Sequence, residues 1–154
     1  MRINKKTILL SLIFCVLLIT LLIADVSMDN RFQVTIGIGD QLARKPVDFA
    51  FNNNLFETLY YPQEIGTTGT ITSISFYNNF NEDVINRPVK IWLGTTLVPN
   101  LSSGWITSSQ LSLVYDSLMS FPAGQNVITF TLQQPYVYNG FNLVLMVNRP
   151  WETQ

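Results

Sequence analysis

The sequence predicts an all-β protein, an antiparallel β-sandwich of jelly-roll-like type preceded by one N-terminal apolar helix. Three observations carry this. Short runs of β-branched and aromatic residues alternate with polar ones at a period of two, the pattern of half-buried strands. Turn-forming Gly, Pro and Asn clusters punctuate those runs. No stretch after Ala24 shows an amphipathic helical period of convincing length.

The elements follow in order. Met1 to Lys6 is basic, and Thr7 to Ala24 (TILLSLIFCVLLITLLIA) carries no charge. That arrangement is an export signal, or an uncleaved anchor near the lower limit of what spans a bilayer. The basic flank would stay in the cytoplasm in either case, which leaves the rest outside. Leu22 stands where a cleavage site wants a second small residue, so the sequence leaves cleavage open. Phe14 before Cys15 speaks against lipid attachment at that thiol. Residues 1–24 are therefore read as signal peptide or anchor, 25–31 as a linker, and 32–154 as one sandwich domain.

Phe32 to Ile38 (FQVTIGI) alternates as a first strand. Lys45 to Tyr61 is aromatic-rich, with Asn52, Asn53 and Asn54 as a turn, and reads as two short strands or a strand and a loop. Thr70 to Tyr77 (TITSISFY) is a strand with Ile74 and Phe76 facing together. Asn78 to Asn86 reads as a polar loop. In Arg87 to Gly94, Val89, Ile91 and Leu93 face one way and Lys90 and Trp92 the other.

Residues 97–109 form a long loop that holds Trp105. Around Ser112 to Asp116, the residues Leu111, Leu113 and Tyr115 share a face. Phe121-Pro122-Ala123-Gly124 is a turn, and Ile128, Phe130 and Leu132 alternate with Val127, Thr129 and Thr131. Asn139-Gly140 is a tight-turn dipeptide. Leu143 to Val147 is apolar on both faces, as a central strand covered on both sides would be. The total is roughly eight strands. The chain stops at Gln154, soon after this last strand, so the sandwich is expected to be incomplete at its C-terminus.

Composition narrows the chemistry. Beyond Ala24 there are six basic and ten acidic residues, about −4 in net charge, once Arg2, Lys5 and Lys6 are removed from the nine Lys and Arg. Such a surface does not attract phosphate backbones, so nucleic acid is not an expected partner. There is no His, and the one Cys lies in the apolar run. Histidine bases, histidine ligands and thiol nucleophiles are absent, and no disulfide can brace the fold.

One resemblance emerges from an ordered set of motifs rather than from any single one. It comprises Glu64-Ile65-Gly66, Gly69 to Tyr77, Arg87 to Thr96, Trp105, Leu113 to Asp116, Phe121 to Gly124, Ile128 to Leu132, Pro135 to Gly140 and Asn142 to Val147. Together these resemble an extracellular β-sandwich module of secreted multidomain proteins from Bacteroidetes and related bacteria. The resemblance covers Phe32 to Trp151. It implies a non-catalytic module, often in tandem or beside peptidase and other surface domains. The sequence departs from that pattern in ending early and in carrying Trp92 where a Tyr is expected.

The expected function is accordingly a non-enzymatic exported module for adhesion, spacing or assembly. The expected partners are other surface proteins, the membrane through residues 7–24 if they are uncleaved, and neighbouring domains of a longer parent chain. A carbohydrate-binding module is the alternative, with Trp92, Trp105 and Tyr77 as stacking rings. A glycan-active enzyme is a weaker alternative, because the carboxylates Glu57, Glu64, Glu82, Asp83 and Asp116 offer only Glu82 and Asp83 as neighbours, and adjacent residues do not oppose each other as glycoside hydrolysis requires. No cofactor is expected. Calcium is the one candidate ion, at the oxygen-rich loop of Asn81, Glu82 and Asp83.

Overall fold

The computed structural model describes residues 31–37 and 43–152. The expected signal peptide or anchor, and the expected linker up to Asn30, lie outside them. The chain divides into two units, Met1–Val34 and Thr35–Gln154, and the fold described here is that of the second.

Among the described residues there are six strands, one short α-helix and one 3-10 turn: β1 (Asn54–Tyr60), α1 (Pro62–Ile65), β2 (Gly69–Phe80), β3 (Val84–Thr96), the 3-10 turn Ser108–Gln110, β4 (Ser112–Phe121), β5 (Gly124–Tyr138) and β6 (Asn142–Arg149). They form two antiparallel sheets, one in the order β1-β6-β3-β4 and one of β2-β5 alone. The all-β sandwich is as the alternation predicts, but the described residues form six strands, not eight. Residues 32–37 of the expected first strand, Phe32 to Ile38, belong to no strand, and Ile38 lies outside the described residues.

The strands run longer than their apolar centres. Asn78, Asn79 and Phe80 pair with Asn126, Gln125 and Gly124, so the expected loop over residues 78–86 shrinks to Asn81, Glu82 and Asp83. Polar side chains on a solvated sheet face cost a strand little, so a polar composition does not stop these residues from pairing. The Asn139-Gly140 turn joins β5 in one sheet to β6 in the other, so it crosses the sandwich and closes no hairpin. Gly140 takes a φ of 91° there, and a Cβ would press on Thr68.

The core lies between the sheets. Val89, Ile91 and Leu93 of β3, Leu143, Leu145 and Val147 of β6, and Ile128, Phe130 and Leu132 of β5 fill its centre. Phe130 packs edge-on against Tyr115 at 5.2 Å and Phe76 at 6.0 Å. At one end Phe49, Phe80 and Phe121 form an edge-to-face cluster at 5.0–5.6 Å. One face assignment needs correction. A register shift between Ile91 and Trp92 makes Val114 an extra residue in β4. Val114 and Tyr115 are both buried in the core, and Leu113 is exposed instead of sharing Tyr115's face. A bulge of this kind resets the alternation and leaves no signal in a period-two pattern.

The outer face of the four-stranded sheet is covered by its own connection. Val144 and Met146 of β6 are buried on that side. Residues 97–111, between β3 and β4, are fixed across it. Asn142 Nδ2 donates to Val98 O at 2.9 Å, and the Tyr61 hydroxyl donates to Pro99 O at 2.9 Å. The Ile106 amide donates to Glu57 Oε1 at 2.8 Å. Leu111 fills the space over Gly94 that a Cβ would need. This strap explains why β6 reads as apolar on both faces.

Candidate functional site

Three surfaces remain for a partner: the outer face of β2–β5, the strap, and the open edge of β2.

The outer face of β2–β5 is uncharged. Register places Ser73 opposite Thr131, Ser75 opposite Thr129, Tyr77 opposite Val127 and Asn79 opposite Gln125, all exposed. Ser75 and Thr129 share a hydroxyl–hydroxyl hydrogen bond of 2.8 Å. Tyr77 is 70% exposed in the middle of this hydroxyl- and amide-bearing strip. A ring flanked by neutral donors and acceptors can stack on an apolar ligand face and hydrogen-bond its rim.

The other two rings proposed for sugar stacking lie elsewhere. Trp92 pairs with Met146 on the outer face of the opposite sheet and is half-buried, so its expected exposure is only partial. Trp105 rides on the strap, 50% exposed, next to the Ile106 amide that anchors it. Tyr77 therefore does not share a platform with either tryptophan. Sequence reasoning grouped them because spacing alone does not say which sheet a strand joins.

Four of the five candidate carboxylates have structural partners. Glu64 Oε2 accepts the Tyr61 amide at 2.7 Å and caps α1. Asp83 Oδ1 accepts the Ala123 amide at 2.7 Å, tying the β2–β3 connection to the β4–β5 connection. Asp116 meets Lys90 at 2.8 Å across β3 and β4. Glu57 is buried beneath the strap, and its Oε2 has no hydrogen-bond partner. Burial raises its carboxyl above the ordinary value of 4.5, against the pull of the Ile106 amide. Glu82 is exposed next to Asp83, and among the described residues no three acidic, His or Cys side chains gather as a metal site.

The edges differ in how they end. On the β4 edge, the Gln133 side chain from β5 acts like a short piece of backbone. Its Oε1 accepts the Asp116 amide at 2.9 Å, and its Nε2 donates to Asp116 O at 3.4 Å. This closes the sandwich on the β4–β5 side. On the opposite side β2 ends the two-stranded sheet, and its outer edge has no ladder partner among the described residues. The inner residues of β2 (Ile71, Ile74, Phe76 and Phe80) are only half-buried there, as are Phe56 and Tyr60 of β1, whereas Ile128 and Phe130 of β5 and Leu143 and Val147 of β6 are buried.

Sequence reasoning missed two residues that matter most here. Arg149 at the end of β6 is a buried charge that binds three backbone carbonyls, and carbonyl partners leave no trace in composition. Gln133 looks like any polar strand residue until the β4 edge is placed beside it. Comparison of the chain with known protein families, with curated proteins and with solved structures finds no match in any of the three.

Proposed function

We propose that this chain is a non-enzymatic, exported surface module that works by assembly, offering a sheet edge to a protein partner. One observation carries the reading: a two-stranded sheet faces a four-stranded one and leaves the 12-residue β2 with an edge that has no ladder partner among the described residues and a half-exposed apolar rim. Such an edge is a template for another strand. The commitment of Glu57, Glu64, Asp83 and Asp116 to structural contacts supports a non-enzymatic role. The uncharged run Thr7 to Ala24 behind a basic flank supports export, with tethering to the membrane where the run is retained. The test is amide hydrogen exchange on the full-length chain at rising protein concentration, alone and with surface extracts. Protection that grows along Gly69–Phe80 supports the reading, and unchanged β2 amides under every condition overturn it.

A second reading rests on the Tyr77 strip. Its neutral chemistry suits a sugar, and a glycan screen of the wild-type chain against Tyr77→Ala decides it. Binding lost with the ring supports a carbohydrate-binding role, and equal binding or none removes it.

A further inference from the structure

The gap beside β2 has a shape that identifies what would fill it. Residues 43–49 close its Phe80 end: Val47 is buried, Phe49 packs on Phe80 and Phe121, and Lys45 lies 5.9 Å over the Phe56 ring. What stays open runs along Ile71, Ile74 and Phe76. A filling strand must turn apolar side chains inward over that rim. Outward it must continue the neutral strip of Ser73, Ser75 and Tyr77. It also needs no charge, because β2 (GTITSISFYNNF) has none to pair with. Both polar atoms of the Asn78 amide, in the same strand, are buried without a partner, and an added backbone would bring donors and acceptors beside it.

One stretch of this chain has those properties. Residues 32–36 read Phe-Gln-Val-Thr-Ile, with apolar and neutral polar residues strictly alternating. They belong to no strand, and Phe32, Val34 and Ile36 are 83%, 42% and 37% exposed. Laid out as a strand they span about 17 Å at ~3.3 Å per residue. Exposed residues of this kind, in no ladder among the described residues, gain by adding to an open edge.

We propose that residues 32–36 of one copy of this chain add as a strand to the β2 edge of a second copy, so that the module self-assembles by strand donation. The inference rests on the assembly reading above and names its partner. Each copy carries one donor segment and one acceptor edge, so the contact is head-to-tail and yields rings or filaments.

The experiment compares the full-length wild-type chain with a Val34→Asp/Ile36→Asp variant, both in detergent, by sedimentation and light scattering. Both carry the same N-terminal apolar run, so the run cannot account for a difference. The altered side chains are exposed and outside every ladder, and a matching thermal melt checks that the fold is kept. In parallel, a labelled synthetic peptide of residues 31–37 is titrated into the variant chain, whose acceptor edge is vacant. The expected results are concentration-dependent oligomers for the wild type, monomers for the variant, and peptide binding at least about tenfold tighter than that of the doubly substituted peptide. Exchange protection on binding should map to Gly69–Phe80. Equal oligomers in wild type and variant would sink strand donation while leaving assembly through another surface. A monomeric wild type and no peptide binding to the variant, with β2 protection gained from surface extracts, would also sink it and would leave the edge to a different protein. No oligomer, no peptide binding and no β2 protection would overturn both.

Discussion

Arg149 is the residue whose loss should cost this fold most, and the cost can be worked from its contacts. Its Nη1 donates to Asn52 O at 3.2 Å and to Glu152 Oε2 at 2.6 Å. Its Nη2 donates to Asp48 O at 3.0 Å and also to Phe51 O. The guanidinium sits 5.0 Å from the centre of the Phe49 ring. One side chain thus ties the last strand to the turn before β1, and through Phe49 to the aromatic end of the core. Arg149→Ala leaves three carbonyls and a carboxylate without this donor. Removing one partner of a buried pair costs about 3–5 kcal/mol. Glu152 keeps 20% side-chain exposure and a second contact with Arg87 at 3.3 Å, which argues for the lower end, about 3 kcal/mol. In a domain of this size that corresponds to a fall in Tm of roughly 10 °C. Arg149→Lys keeps the charge but not the planar fork, and should lose about half as much. Urea unfolding of the full-length variants, followed by circular dichroism, measures both. A loss of less than about 0.5 kcal/mol for the Ala variant, the range of an ordinary surface change, would refute the reasoning. Water would then be serving those carbonyls as well as the guanidinium does.

Three further outcomes follow from the strap and the Tyr77 strip. Gly94→Ala places a methyl group in the space of the Leu111 side-chain tip, which must turn aside, so it should destabilise by about 1 kcal/mol and loosen the strap, seen as faster exchange at the Ile106 amide. Glu57 holds its proton more tightly in the folded chain than in the unfolded one. Its contribution is therefore fully present below pH 4.5 and is lost as pH rises towards the raised value. Glu57→Gln should remove that downward slope from a urea stability profile between pH 4 and 8, and a slope unchanged by the substitution would rule the carboxyl out as its source. Tyr77→Ala, in contrast, removes an exposed ring and should move stability by no more than about 0.5 kcal/mol, so any ligand it abolishes is lost through contact and not through unfolding.

Much of the fold was legible because burial on one side of a sheet writes itself into alternation. Ile128, Phe130 and Leu132 point inward while Val127, Thr129 and Thr131 point out, as period two requires. Leu143 to Val147 announced cover on both faces, and the strap supplies it. What stayed hidden has a common cause. Strand pairing, sheet membership and bulges depend on partners far away in sequence. Alternation at residues 32–36 was legible as strand chemistry, yet no ladder holds it within the described structure. The grouping of Tyr77 with Trp92 and Trp105 failed for the same reason, because ring type is visible in a sequence and sheet membership is not. Arg149 and Gln133 work through backbone atoms, which every residue has and no composition reveals.

The edges bear on the proposal that β2 is a docking element. Soluble β proteins blunt edges that must stay free, using charge, proline, short length or a covering segment. β4 is covered at Asp116 by the Gln133 amide, beside the Lys90–Asp116 pair. β1 is only seven residues long and is flanked by its own chain: Asn54 bonds Asp48 N at 3.1 Å and Pro46 O at 2.8 Å, and Lys45 covers Phe56. β2 has neither charge nor proline over 12 residues, and its one irregularity lies between Ile71 and Ser73, leaving a regular ladder from Ser73 to Phe80. β1 and β4 are guarded, whereas the outer edge of β2 is neutral and has no ladder partner among the described residues, and an edge of that kind is a template for another strand. Selection against aggregation acts on all edges alike, so the undefended one is where a partner's contribution to stability is to be sought.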